Sequence, residues 1–280
     1  MSPSRVTAKS VAVVAAAASM PFAFASPLSA THSSAIFKRD PPPALPQCAT
    51  EGDLKWQPVF DFDTDSCYNV PAVGADGTVN PGLDECDTTV ADGCHDESDL
   101  DNNNVYVRAR CNNGWCGHLY GYYFEKDVAV EHSCGSGHRH DWEHVVVWVE
   151  QSTDSIRYVA ASAHGGYDTR AVEDIMMDGD RAKIVYHKDG GSTHAMRFAK
   201  EDDDAIENAK GVWFRGALVS YEGFPDASVR DAMMGNDWGK GKIDFSDARF
   251  ADALESAKGK FDIPLDTSTD DESSPGVPSC

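Results

Sequence analysis

From Trp56 to Phe198 the chain alternates short runs rich in Val, Tyr, Phe and Ile with clusters of Gly, Asp and Asn. The runs span 56–62, 105–110, 119–124, 144–149, 156–163, 183–187 and 194–198. β-branched and aromatic side chains suit a pleated, half-buried surface, and Gly, Asp and Asn supply the turns between such segments. Two helical patterns come late. One runs from Pro225 to Met234 and stops before Gly235. The other is capped by Ser246 and carries Phe250, Leu254 and Ala257 at i, i+4 and i+7. Strands first and helices last predict a mainly β, α+β architecture: a β-sandwich flanked by helices. No internal repeat is visible, and beyond the leader no stretch approaches the roughly 20 apolar residues of a spanning helix.

The ends read differently from the middle. Arg5 and Lys9 precede an uncharged apolar run, Val11 to Ala25, that ends in Ala23-Phe24-Ala25. That pattern is a secretory signal peptide over 1–25, too short and too interrupted by Pro21 to be a membrane anchor. Residues 26–39 are small and polar and end in the dibasic pair Lys38-Arg39, which predicts a pro-segment. A single domain is then expected over 40–265, followed by a disordered, acidic, Ser- and Pro-rich tail over 266–280.

The 280 residues hold 24 basic and 46 acidic side chains, a net charge of −22. Residues 1–39 contain four of the basic ones and no acidic one, so the remainder carries 20 against 46, or −26. Such a field repels phosphate backbones and anionic lipid, which argues against nucleic acid as a partner and favours divalent cations. Eight cysteines, at 48, 67, 86, 94, 111, 116, 134 and 280, read as disulfides behind a signal peptide. Cys111 and Cys116 have no matching Cys or His pair at zinc-finger spacing.

The chemistry concentrates between Gly137 and His144. Alternation on a strand puts Asp141 and Glu143 on one face, where two neighbouring carboxylates repel unless a proton or a cation lies between them. A bend at Gly135 and Gly137 can bring His138 to the same side, and Asp127 can close the ring from a loop after the 119–124 strand. Oxygen ligands with one imidazole suit Ca²⁺, Mg²⁺ or Mn²⁺. The competing reading is a polar cluster in which Arg139 pairs with the acids. Asp61, Asp63 and Asp65 resemble the start of an EF-hand, but Ser66 and Ala72 stand where Gly and Glu are required. His164, beside Gly165-Gly166, reads as a cavity wall rather than a base, and no G-x-S-x-G elbow occurs.

Gly137 to Glu143 spells the Gly-His-Arg-His-Asp-Trp-Glu heptapeptide of the necrosis- and ethylene-inducing-like protein (NLP) family. The resemblance extends along most of the chain beyond the leader. Cys67 to Val73 is similar to the family's N-terminal Cys segment, and Tyr122 to Asp127 to its WYFPKD segment. Ser162 to Tyr167 is similar to the SAHGGY segment, and Asn236 to Gly239 to the NDFG turn. Glu125 in place of Pro, a longer spacing from Asp127 to His138, and extra cysteines at 86, 111, 116 and 134 mark a divergent, cysteine-rich branch.

The resemblance implies an actinoporin-like β-sandwich and a divalent cation, Ca²⁺ or Mg²⁺, held at a cavity floor by Asp127, His138, Asp141 and Glu143. Arg139, His140, Trp142 and His164 would support that site. The family's pairing implies a Cys67–Cys94 bridge, and Cys111–Cys116 is expected as a second. The resemblance further implies a secreted, monomeric virulence effector or cytolysin without catalytic activity. Its target would be glycosylated inositol-phosphoceramide-type sphingolipid on plant membranes. Two other readings stay open: a non-toxic glycan-binding or immune-recognised protein, and a metal-dependent polysaccharide-degrading enzyme.

Overall fold

The run Val145-Val146-Val147-Trp148-Val149 is apolar at every position because its strand is covered on both faces, as the computed structural model shows. Met1 and residues 40–86, 88–191, 193–270 and 275–280 are described; the signal peptide and pro-segment readings fall outside them, apart from Met1. In chain order the elements are α1 (Glu51–Trp56), β1 (Val59–Phe62), α2 (Glu97–Asp101), β2 (Asn104–Asn112), β3 (Trp115–Val128), β4 (Gly137–Glu150), β5 (Ser155–Ala163) and β6 (Gly166–Ala171). There follow β7 (Met177–Asp178), β8 (Arg181–Asp189), β9 (Thr193–Phe198), β10 (Ala217–Ser220), α3 (Ala227–Gly235) and α4 (Phe250–Ala257).

Two sheets form the sandwich. One has the order β10-β2-β3-β4-β5-β6; in the other β8 is flanked by β1 and β7 and also pairs with β9. Between them lies a core of Phe60 and Phe62 from β1, Tyr120, Tyr122 and Phe124 from β3, Val145, Val147 and Val149 from β4, and Ile184 and Tyr186 from β8. The alternate residues of β3 and β4, Leu119, Tyr123, Val146 and Trp148, face a second core built with Met233 of α3 and Phe250 and Leu254 of α4. The long central strands are therefore sandwiched between a sheet and a helix layer.

Local differences from the sequence reading have local causes. Trp56 ends a helix, not a strand, because Thr50 caps it by accepting from the Asp53 amide. Ser246 gives no side-chain cap; α4 starts at Phe250, whose amide bonds to the Ser246 carbonyl. β6, β7 and β10 escape the pattern, β6 being polar and the other two only two and four residues long.

Four disulfides join Cys48 to Cys280, Cys67 to Cys94, Cys86 to Cys134 and Cys111 to Cys116. The segment read as a disordered tail is fastened where it is described. Asp270 pairs with the Arg110 guanidinium, Asn112 bonds the carbonyls of Asp266 and Thr269, and Cys280 is covalently held. Acidic composition alone missed these partners, which all come from β2 or from the N-terminal side. The loop between α3 and α4 is also anchored. Phe245 fills the space that a side chain at Gly121 would occupy, for a Cβ there would lie 2.2 Å from the ring. That contact fixes one wall of the site.

Candidate functional site

The site begins with a break in alternation. Phe124 stacks on Tyr186 with ring centroids 3.8 Å apart, and Asp127, three residues on, bonds His194 of β9; both partners belong to the opposite sheet. On β4, His138 and Asp141 are also three apart yet line one cavity. Regular strands forbid both arrangements. The break lies where the β3–β4 ladder omits the Glu125–His140 pair and His140 takes φ 61°, in the left-handed region. Its ring is held by Tyr123, whose hydroxyl is 2.7 Å from Nδ1, and by the edge of Trp238.

Gly135, at φ 102°, turns the chain ahead of β4 as expected, but the break that brings His138 to the side of Asp141 sits at His140. Gly137 matters for a different reason. A Cβ there would lie 2.3 Å from the Asp127 carbonyl oxygen, so only glycine allows the two strands to approach. Asp127 likewise lies within β3, paired with His138, rather than in a following loop.

Asp127 is buried and saturated with donors. His194 supplies its backbone amide and Nδ1, the latter at 2.7 Å, and Thr193 adds its hydroxyl. The His194 Nε2 meets the Asp65 carbonyl at 2.9 Å, so both ring nitrogens face acceptors and the ring is an imidazolium. Burial would lower its pKa, but the bond and charge of Asp127 raise it. Burial pulls Asp127 upward in turn, and the His194 interactions outweigh it and hold that carboxyl low.

His138 donates Nδ1–H to its neighbour's carbonyl, His140 O, at 2.9 Å. Its Nε2 lies 3.6 Å from Asp127 Oδ2. Asp141 accepts from the Tyr186 hydroxyl at 3.0 Å, and Glu143 accepts from Ser162. Among the described residues the second oxygen of each carboxylate has no donor. Burial, then the charge of Asp127, pushes Asp141 up to about 6, and burial with the charge of Asp141 raises Glu143 well above the usual range.

His138, Asp141, Glu143, Ser162 and His194 line a cavity of about 220 Å³; Asp127 and Tyr186 are not among its lining residues. His164 stands on its wall at φ 52°, 2.8 Å from Asp189. Trp142 lines it too, and its Nε1 is buried without a partner among the described residues. Arg139 and His140 do not line it. Arg139 is exposed beside Gly82 and makes no ion pair among the described residues, so it does not neutralise the acids. The opposite wall is the 240–249 loop. There Asp244 receives the Tyr167 hydroxyl at 2.7 Å and Arg249, and its amide donates to His144 Nε2 at 3.1 Å. His194, Asp244 and Tyr186 were not singled out as site residues in the sequence, since each lies tens of residues from the motif it serves.

Two acids, Asp141 and Glu143, each with an oxygen that lacks a donor among the described residues, and the His138 imidazole beside them suit a hard cation. Among the described residues, however, no three His, Cys, Asp or Glu side chains converge closely enough to hold a metal ion by themselves. Water or a ligand must complete any such coordination.

Fold and site together define a mainly β sandwich protein with a ligand-sized, charged cavity at one edge. The chain belongs to the necrosis-inducing protein family, whose model (Necrosis inducing protein, NPP1) matches residues 50–257. It is 33% identical over 198 residues to NLP effector protein 10 of Phytophthora capsici, covering 69% of this chain and 77% of the relative. A solved structure of NLPPya in complex with mannosamine is 28% identical, covers 77% of this chain and 95% of that one, and superposes with a TM-score of 0.64. The non-toxic HaNLP3 protein is similar to the same degree: 26% identity, 79% and 97% coverage, TM-score 0.64. These relatives are effectors and toxin-fold proteins, and no catalytic family is indicated. The four disulfides fit an extracellular protein, and no described helix is long and apolar enough to cross a membrane.

Proposed function

We propose that this chain is a secreted, monomeric NLP-type effector that docks a glycan headgroup in the His138–Asp141–Glu143 cavity with the help of one divalent cation, Ca²⁺ or Mg²⁺. The headgroup would be that of a glycosylated inositol-phosphoceramide-type sphingolipid on a plant membrane. One observation carries the reading: Asp141 and Glu143 face a single cavity together with His138, and each carboxylate keeps one oxygen without a donor among the described residues. His194 already satisfies Asp127, so Asp127 serves to orient His138, while Asp141 and Glu143 offer free oxygens. A hard cation, when bound, accepts sugar hydroxyls as ligands. The amino-sugar complex of NLPPya supports a glycan as the occupant.

Calorimetric titration of chelator-treated protein with Ca²⁺ and Mg²⁺ should reveal one site, lost in Asp141→Asn. Co-sedimentation with vesicles bearing the glycosylated sphingolipid should fail in EDTA and be indifferent to moderate salt. Binding that survives EDTA, or that follows lipid charge instead of headgroup sugar, refutes the reading. A second reading has support of its own, because HaNLP3 shares this fold and is non-toxic. Headgroup binding without release of an entrapped dye would select that alternative.

A further inference from the structure

A second buried imidazole, outside the site described above, has a bond to spare. The His118 side chain, on β3, is 4% exposed, and its Nδ1 lies 2.8 Å from Asp53 Oδ1 of α1. Asp53 is held in turn. Its second oxygen accepts the Ser220 hydroxyl at 2.5 Å, and its backbone carbonyl accepts the Tyr120 hydroxyl at 2.7 Å. The ring is therefore fixed by its partners, and among the described residues nothing bonds its Nε2.

His118 lines a cavity of about 310 Å³ with Trp56, Val149, the Cys111–Cys116 bridge and Pro275. This cavity takes Val149 from the end of β4, whereas the glycan cavity reaches only to His144; five residues of strand, roughly 16 Å, lie between the two. A glycine leaves the space in front of the imidazole. Gly52 sits in α1 without a left-handed φ, so its backbone would accept any side chain, and glycine weakens a helix. A Cβ there would lie 3.6 Å from His118 Cε1, in ordinary contact, so a larger side chain would cover the ring. Trp56 and Asp154 also line a neighbouring cavity of about 250 Å³, whose apolar walls include Ile156, Val172 and Met177. Lys55, 4.0 Å above the Trp56 ring, is paired with Asp154 at 2.6 Å and so offers an anion no free charge.

We infer that this cavity is a second ligand site, for a neutral phenol with a short apolar tail, and that His118 Nε2 binds the phenol hydroxyl. The inference does not depend on the glycan reading. A hydroxyl both donates and accepts, so it suits Nε2 in either protonation state of the ring. The indole of Trp56 and the thioether of Met177 favour an aromatic body over a sugar. Asp154 and Asp180 oppose an anionic one. The size also fits: a cavity of about 150 Å³ holds benzene, and this one has roughly twice that volume.

The test titrates 4-ethylphenol and ethylbenzene into the full disulfide-bonded protein carrying isotope-labelled histidine, followed by NMR. Wild type should bind the phenol about five- to tenfold more tightly than ethylbenzene, the yield of one hydrogen bond to a buried group, and the His118 ring resonances should shift. Gly52→Leu keeps the His118–Asp53 pair and should abolish binding of both probes, with the circular dichroism spectrum of wild type. His118→Gln should bind the two probes equally. Wild type that binds neither probe, or both equally, overturns the site. So does phenol binding that survives Gly52→Leu or leaves the His118 resonances unmoved. The wild-type selectivity and the His118 shifts decide the matter even where a variant fails to fold.

Discussion

The Cys48–Cys280 bridge should dominate the stability of this protein. It lies outside the stretch that matches the family model, residues 50–257, and joins the two ends of the described domain. Its sequence separation is 232. Loop-closure entropy for a cross-link of that length is worth about 5 kcal/mol at 25 °C. The other bridges shorten the effective loop, but the dependence is logarithmic and shifts the figure by only a few tenths of a kcal/mol. The Cys111–Cys116 bridge, at separation 5, is worth about 2 kcal/mol by the same reasoning. For a domain of this size the first loss lowers Tm by about 10–20 °C. The structure adds a local cost in the same direction. Cys48 pairs alongside β10 at the sheet edge, its amide 2.9 Å from Leu218 O, and the preceding Leu45 is stitched to Asn104. Cys48→Ser/Cys280→Ser and Cys111→Ser/Cys116→Ser should be melted side by side by circular dichroism under non-reducing conditions. The reasoning is refuted if the first pair melts within about 4 °C of wild type, or if the second pair costs more.

Three other outcomes follow from the packing and the buried charges. Gly121→Ala places a methyl against Phe245 at 2.2 Å and should cost about 1–3 kcal/mol in urea denaturation; Gly114→Ala, with nothing within 4 Å but a φ of 79°, tests whether backbone strain alone costs as much. His194→Ala leaves Asp127 buried without its cation and should destabilise by about 3–5 kcal/mol in urea denaturation, whereas His187→Ala on neighbouring β8 should cost less. Burial pushes the Asp53 carboxyl upward, but its bonds with His118, Ser220 and Thr50 more than compensate and hold its pKa below the ordinary value. A depressed folded pKa means this stabilisation is present above the unfolded pKa of about 3.9 and is lost as pH falls through the folded value. Tm of wild type and Asp53→Asn, followed from pH 6 to pH 2, should therefore converge below about pH 4; curves that stay parallel contradict the sign.

Local pattern and motif carried a good deal of this protein. The seven apolar runs locate strands because β-branched and aromatic residues at those positions have few other stable outcomes, and Val145–Val149 marks a strand buried on both faces. The Phe250, Leu254 and Ala257 face of α4 was legible for the same reason. The heptapeptide identified the family and put Asp141 and Glu143 together, because alternation on a strand is a local property.

What the sequence alone left open depends on partners brought from far along the chain. The left-handed turn at His140, which swings His138 to the acidic side, is held by Tyr123 and Trp238, which lie 17 residues before it and 98 after it. The imidazolium at His194 exists only because β9 delivers it to an aspartate 67 residues earlier, under a carbonyl from Asp65. The acidic tail reads as disordered until Arg110, Asn112 and Cys48 are placed beside it. Propensity and spacing act over a few residues, whereas the charge state of a buried group is decided by whatever the folded chain packs against it, so the motif could be read from the sequence and the electrostatics of its cavity could not.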